Sequence, residues 1–339
     1  MKRFLLAAAA LAVVGATAGA QDLTGAGSSF AKPIYDSWAA AYAKATGVKI
    51  NYASVGSGTG IKQISEMTVD FGATDGPMTD AQMAAAKGGP IIHIPTVIGA
   101  VAISYNLPSL GMNEHLKLTG PVVADIYLGK ITNWNDSRIK ALNPGVSLPD
   151  KNIVVVHRSD GSGTTYIVTD YLSAVSSEWA AGPGKGTAIS WPVGLGAKGN
   201  EGVAGQVRQV DGAIGYVELA YVLTNHMAYS LLENKDGKYV APSLEGATAA
   251  AAGTAAHLPA NSDFRVSIVN APGAASYPIS SFTWILLYQH QADAAKGKKL
   301  VDFITWAMKD GDPEATALQY ATLPKNMKAM VLRRLAEVK

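Results

Sequence analysis

Three short stretches of the chain concentrate hydroxyls, glycines and charge in the way an anion site requires. The densest is Arg158-Ser159-Asp160-Gly161-Ser162-Gly163-Thr164-Thr165. Gly161 and Gly163 let backbone come close to a ligand, Ser162 and Thr164 add hydroxyl donors, and the Arg158 guanidinium is a charged fork suited to an oxyanion. The others are Thr24-Gly25-Ala26-Gly27-Ser28-Ser29-Phe30 and Ser54-Val55-Gly56-Ser57-Gly58-Thr59-Gly60. One acid stands out beside them: Asp75, in Thr74-Asp75-Gly76-Pro77, whose spacing by itself reads as an Asx-turn.

Each of the three stretches opens a helix. Ile153 to Val156 reads as a buried strand leading into the Arg158 turn, and Ile167, Tyr171, Leu172 and Val175 then share one helical face. A helix start carries backbone N–H groups without intrahelical partners and about half a positive charge, so it attracts anions. The plainer reading is a turn capped by Asp160 or Ser162 with Arg158 in solvent; recurrence of the pattern favours a site. After Phe30, a helix carries Ile34, Tyr35, Trp38 and Tyr42 and stops at Gly47. Val48 to Ala53 alternates as a strand, and the Ser57 turn opens a helix with Ile61, Ile64 and Met67 inward. Val69 to Ala73 is a short strand, followed by an alanine-rich helix capped by Thr79 or Asp80.

Further along, Ile91 to Tyr105 and Ser280 to Tyr288 are long extended passages suited to crossing between two lobes. Between them, Pro121 to Leu142 holds a helix and turn with Trp134 as a core anchor. Asn200 reads as the cap of a helix carrying Val203, Val207 and Val210, before a strand at Gly212 to Val217. Glu245 to Ala260 reads as a surface helix, and Val301, Ile304, Thr305 and Met308 mark a late one. Strands alternating with helices imply an α/β fold. The expected division is 21–98 with 270–339 as the first lobe, containing both termini of the mature chain, and 99–269 as the second.

Lys2 and Arg3, the apolar run from Phe4 to about Ala16, and Ala18-Gly19-Ala20 before Gln21 form an export signal, with cleavage expected after Ala20. There is no cysteine, which excludes disulfides, thiolate metal sites and lipid anchoring through cysteine. Taking Lys2 and Arg3 from the 28 basic residues leaves 26, equal to the 26 acidic ones. A chain without net charge is a poor partner for nucleic acid or a membrane surface.

Catalytic chemistry is thinly supported. The histidines at 93, 115, 157, 226, 257 and 290 make no pair at metal-ligand spacing and read as ordinary surface or turn residues. Hydroxyls such as Ser29, Ser57, Ser162 and Thr164 become nucleophiles only beside a base. The nearest histidine, His157, faces away from the site if Arg158 faces it, because successive strand residues alternate. A Walker-type phosphate loop fails because Ile61 separates Gly60 from Lys62. Gly194-Leu195-Gly196-Ala197-Lys198-Gly199 fits a dinucleotide fingerprint by letter, but Trp191-Pro192 stands where a buried strand should be. No catalytic residue, cofactor or metal is expected.

The chain resembles the periplasmic phosphate-binding proteins that serve ABC-type phosphate importers. The resemblance runs through Thr24 to Phe30, Val69 to Asp75, Ile126 to Ile131, Arg158 to Thr164, Gly194 to Asn200 and Gly212 to Glu218, in order. It implies a type II periplasmic-binding-protein fold: two lobes, each a mainly parallel sheet flanked by helices, joined by two extended hinge crossings. It also implies a monomer in the periplasm that closes on one dehydrated phosphate and docks on a membrane-embedded ABC permease. Matched residue by residue, the family's phosphate contacts fall on Ser29, the backbone of Phe30, Ser57, Asp75, Arg158, Ser162, Gly163 and Thr164, with Asp160 orienting the arginine. Departures are Ser29 where threonine is usual, Gly58-Thr59 in the usual serine-rich loop, and His157 in place of a frequent second arginine. On this resemblance Asp75 becomes the acceptor for the phosphate proton. Sulfate, which has none near neutral pH, would set acceptor against acceptor. The alternative, a phosphatase holding its product in the same trap, lacks a base and a metal.

Overall fold

The computed structural model describes residues 22–111, 114–255, 258 and 263–339; the expected export signal lies outside them. The elements that frame the site are β1 (Leu23–Gly27), α1 (Lys32–Thr46), β2 (Ile50–Ser54), α2 (Ser57–Ser65), β3 (Phe71–Thr74), β4 (Ile91–Tyr105), β5 (Val154–Arg158), α3 (Gly163–Val175), β6 (Leu195–Ala197), α4 (Gly199–Gln209), β7 (Ala213–Glu218) and β8 (Ser280–Tyr288). They form one curled sheet in the order β2-β1-β3-β8-β4-β7-β5-β6. Two short strands, Ala228–Tyr229 and Ala321–Thr322, also pair with β4.

The pairing explains the two lobes. On one side β2, β1 and β3 run parallel; on the other β7, β5 and β6 do. Between them β4 is continuous for 15 residues, all buried. Its residues from Ile91 to Ala100 pair antiparallel with β8, and those from Val101 to Tyr105 pair antiparallel with β7. Pro95 fits inside this strand at a place where the β4–β8 register shifts, opposite Thr283 and Trp284, as expected of a residue that cannot donate to the ladder.

Helices cover both half-sheets. In the first, α1 ends on Gly47 in the left-handed region and buries Ile34, Tyr35, Trp38 and Tyr42; α2 lies on β1 and β3. In the second, α4 lies on β7 and β5 and buries Val203 and Val207. Trp134 is fully buried, and its indole N–H donates to the Gly212 carbonyl at 2.9 Å. One hydrophobic cluster runs from Trp38 and Phe303 in the first lobe to Trp134 and Trp179 in the second.

Three expectations need correction. Met67 does not face inward: α2 ends at Ser65, Met67 has φ 60° and its side chain is 46% exposed. The alanine-rich helix, Leu244–Ala255, is not a surface element, since Ala247, Ala250 and Ala251 are buried against β4 and β8. Small side chains let the helix come close to the sheet, and composition alone does not distinguish that from exposure. Of its expected continuation, residues 256, 257, 259 and 260 lie outside the described residues. His93 is likewise no surface residue: it is fully buried in β4, accepts from Met78 N–H at Nε2 (3.0 Å) and meets Asp263 at Nδ1 (2.9 Å). Its neighbours are apolar by sequence, and its partners come from distant segments.

Candidate functional site

The turns meet where the ends of β1, β3 and β5 face one another across the two lobes. Gly27 ends β1, and Ser28 and Ser29 lead to α1. The carbonyls of Ser28, Ser29 and Phe30 accept tyrosine hydroxyls from three separate stretches of the chain: Tyr52 at 2.7 Å, Tyr221 at 2.7 Å and Tyr320 at 2.6 Å. Burial pushes all three phenols well above their ordinary pKa, so they stay O–H donors. In a trans peptide the N–H points opposite to the carbonyl. With Phe30 O held by Tyr320, Ala31 N–H donates to Ser28 Oγ at 3.1 Å, on the side where Asp75 lies.

Asp75 is 1% exposed. Its carboxylate accepts from Ser28 Oγ at 2.5 and 2.7 Å, from Thr283 Oγ1 at 2.8 Å and, at 3.5 Å, from Ser57 Oγ. The Asx-turn that spacing suggested is made by its neighbour, since Thr74 Oγ1 accepts from Gly76 N–H at 3.2 Å and also reaches the Gly76 carbonyl. Asp75 is thereby freed to face the other lobe. Burial pushes its carboxyl up to about 6, against the opposing pull of Ser28, Thr283, Arg158 and Ser57.

From the second lobe, Arg158 is 4% exposed at the end of β5. Its Nε and Nη2 donate to the two oxygens of Asp160 at 2.6 and 2.5 Å, and its Nη1 points to Thr164 Oγ1 at 3.4 Å. Burial acts to raise the Asp160 pKa, but the hydrogen bonds and charge of Arg158 outweigh it and hold it below the ordinary carboxylate value. The arginine charge is therefore largely matched within the protein, and much of the attraction for an anion falls to N–H and O–H groups. Ser162 is the N-cap of α3, accepting from Thr165 N–H at 3.0 Å; Gly163 and Thr164 are its first two residues, whose N–H groups have no intrahelical acceptor. His157 turns away, with its ring stacked on Trp191 at 4.8 Å.

The lobes touch directly here. Gly58 N–H donates to the Gly161 carbonyl at 2.9 Å. Gly56 has φ 88°, and a Cβ there would lie 2.3 Å from Asp160 Oδ2. A Cβ on Gly163 would lie 2.5 Å from Asp75 Oδ2 and 2.6 Å from Ser57 Oγ. Both glycines are needed for close approach rather than only for turning. The residues expected from the sequence come together here: Ser29 and Thr164 share Asn200, Arg158 holds Asp160 and points to Thr164, Ser57 bonds Asp75 beside Gly163, Ser162 caps α3, and Phe30 follows Ser29.

Four further members escaped the sequence reading. Ser28 and Thr283 bind the Asp75 carboxylate; Thr283 is a hydroxyl in an otherwise apolar run, which is a detectable signal. Asn200, expected to cap α4, lies inside it, because Lys198 is the N-cap; its side chain is fully buried between the lobes. Glu218 is buried at the end of β7, accepts from Ala220 N–H at 2.8 Å, and is pushed well up by burial. Among the described residues no group of histidine and carboxylate side chains is placed to hold a metal, and no helix is long and apolar enough to cross a membrane.

Residues 12–310 match the family model described as the PBP superfamily domain. The chain is also 47% identical over 305 residues to the phosphate-binding protein PstS of Xylella fastidiosa strain 9a5c, covering 90% of this chain and 82% of that protein. This chain belongs to the PstS family of phosphate-binding proteins. Within the family the named role is solute binding, not catalysis. Solved structures agree on the fold. One, described as a high affinity periplasmic phosphate-binding protein bound with phosphate, aligns with TM-score 0.71 at 21% identity, over 92% of this chain and 93% of that one. Another, a putative phosphate ABC transporter substrate-binding protein from Clostridium perfringens with bound phosphate, aligns with TM-score 0.63 at 20% identity, over 90% and 100%. Both share the fold described above.

Proposed function

We propose that this chain binds inorganic phosphate in the periplasm, closes over it, and delivers it to an ABC-type permease. The ligand contacts are Ser29, the Phe30 backbone, Ser57, Asp75, Arg158, Ser162, Gly163 and Thr164, with Asp160 holding the Arg158 fork in plane. The lobes, 21–98 with 270–339 and 99–269, move about the two crossing strands, and the protein works as a monomer after cleavage at Ala20.

The observation that carries this reading is the buried Asp75 carboxylate facing Gly163 and Arg158 across the cleft. A carboxylate among anion-binding donors repels an anion unless that anion brings a proton. Phosphate near neutral pH carries one or two; sulfate carries none. The phosphate hydroxyl then donates to Asp75 while its other oxygens accept from α3, the hydroxyls and Arg158. Sulfate forfeits that hydrogen bond and sets an oxygen against the Asp75 carboxylate, whose other partners are Ser28, Thr283 and Ser57; the lost bond to a charged group costs roughly 1–3 kcal/mol, with the acceptor–acceptor repulsion added to it. Arsenate carries the same proton and is accepted.

The test is isothermal titration of the processed, ligand-free protein with phosphate, sulfate and arsenate at pH 8. Saturable binding of phosphate, unaffected by a large excess of sulfate, is expected. Effective displacement by sulfate would sink the role of Asp75.

A further inference from the structure

Asn200 has no assigned part in this site, yet its hydrogen bonds account for the polarity of two ligand hydroxyls. It is fully buried. Its backbone N–H and its side-chain Nδ2 both donate to Ser29 Oγ, at 3.0 and 2.9 Å. Nδ2 also donates to Thr164 Oγ1 at 3.0 Å. The amide orientation is fixed from behind, because Oδ1 accepts from Glu218 N–H at 2.9 Å; the flipped amide would set N–H against N–H.

A hydroxyl has one proton and two acceptor lone pairs. Both lone pairs of Ser29 Oγ are taken by groups of Asn200 that can only donate. Those of Thr164 Oγ1 face Asn200 Nδ2 and, at 3.4 Å, Arg158 Nη1. Each hydroxyl is left with only its proton to offer. We propose that Asn200 is a positioning residue of the anion site, which compels Ser29 and Thr164 to act as donors and so presents two O–H groups to the ligand. This inference rests on the phosphate-binding reading. Ser29 belongs to the first lobe, and Asn200 and Thr164 to the second, so the polarity of Ser29 is set only when the lobes meet. The site then carries a fixed pattern, with donors at Ser29 and Thr164 and an acceptor at Asp75, that matches a protonated oxyanion.

The experiment is a double-mutant cycle on phosphate affinity, with Ser29→Ala, Asn200→Ala and the pair, measured by titration at pH 8. Loss of two oriented donors to a charged ligand lowers affinity about a hundredfold or more in Asn200→Ala. Ser29→Ala is then expected to cost about tenfold or more in the wild-type background and little in the Asn200→Ala background. A second cycle uses Asn200→Asp, which keeps the side-chain size and replaces the donor by an acceptor. It should weaken binding more than alanine does, and it decides the matter if Asn200→Ala folds poorly. Additive losses, as from two separate structural defects, would overturn the inference while leaving phosphate binding intact. Failure of the wild-type chain to bind phosphate would instead remove the reading beneath it.

Discussion

Replacing Asp75 with asparagine separates the cost of the buried charge from its use. The carboxyl is fully buried and raised from 3.8 to about 6, a shift of roughly two units, so keeping it ionised in the ligand-free fold costs about 3 kcal/mol at 1.36 kcal/mol per unit. Between about pH 4 and 6 the native state holds a proton that the unfolded state has released. Stability therefore falls as pH rises through that window, and the full cost is present above it. Below about pH 4 both states are protonated and the cost is gone. Asp75→Asn removes the titration. Urea unfolding of ligand-free wild type and variant should give nearly equal stabilities at pH 4, with the variant ahead at pH 7.5 by up to about 3 kcal/mol, the full figure applying when the lobes are in contact as they are here. Taking the difference cancels every other titrating group. The carboxamide also has N–H donors to offer to an unprotonated anion, so the variant should accept sulfate, as should the wild type increasingly as pH drops below about 6. A stability difference independent of pH, or one that grows on acidification, would refute the argument.

Three other outcomes follow from the geometry. Arg158→Lys keeps the charge but not the fork that grips both oxygens of Asp160, and phosphate affinity should fall by about 10- to 100-fold in titration. Gly163→Ala inserts a Cβ 2.5 Å from Asp75 Oδ2 and 2.6 Å from Asp75 N; the variant should fold, bind phosphate poorly, and show by small-angle scattering no compaction when phosphate is added. Trp134→Ala, which empties a fully buried site and leaves the Gly212 carbonyl without its indole donor, should cost about 3–5 kcal/mol in urea unfolding without reaching the anion site.

Much of this site was legible because its parts are local. Strand, glycine-rich turn and helix follow one another within about ten residues, and each local signal of α3, from the β-branched strand to the Ser162 cap, points the same way. The Asp75 turn misled although the sequence decides it: a side-chain turn reaches the N–H two residues on, which for Asp75 is Pro77 and has none, whereas Thr74 reaches Gly76. Asn200 was legible only as a helix cap, since its partners Ser29 and Thr164 lie 171 and 36 residues away. His93 and Asp263, 170 residues apart, escaped in the same way. The helix at Leu244–Ala255 shows the complementary limit, because alanine serves equally on an exposed face and at a close helix–sheet contact.

The unbroken course of β4 through both half-sheets has a mechanical consequence. A pair of lobes joined by flexible tethers would melt independently, each with its own midpoint. Here every residue of the shared strand except Thr96, at the register shift, sits in one ladder or the other, and the hydrophobic cluster is continuous across the junction. Losing either half removes an edge that the other depends on. On the proposed closing motion the strand would bend near Ala100 and Val101, where its ladder partner changes, yet heat should take the whole molecule apart in a single calorimetric transition, with calorimetric and van't Hoff enthalpies in agreement.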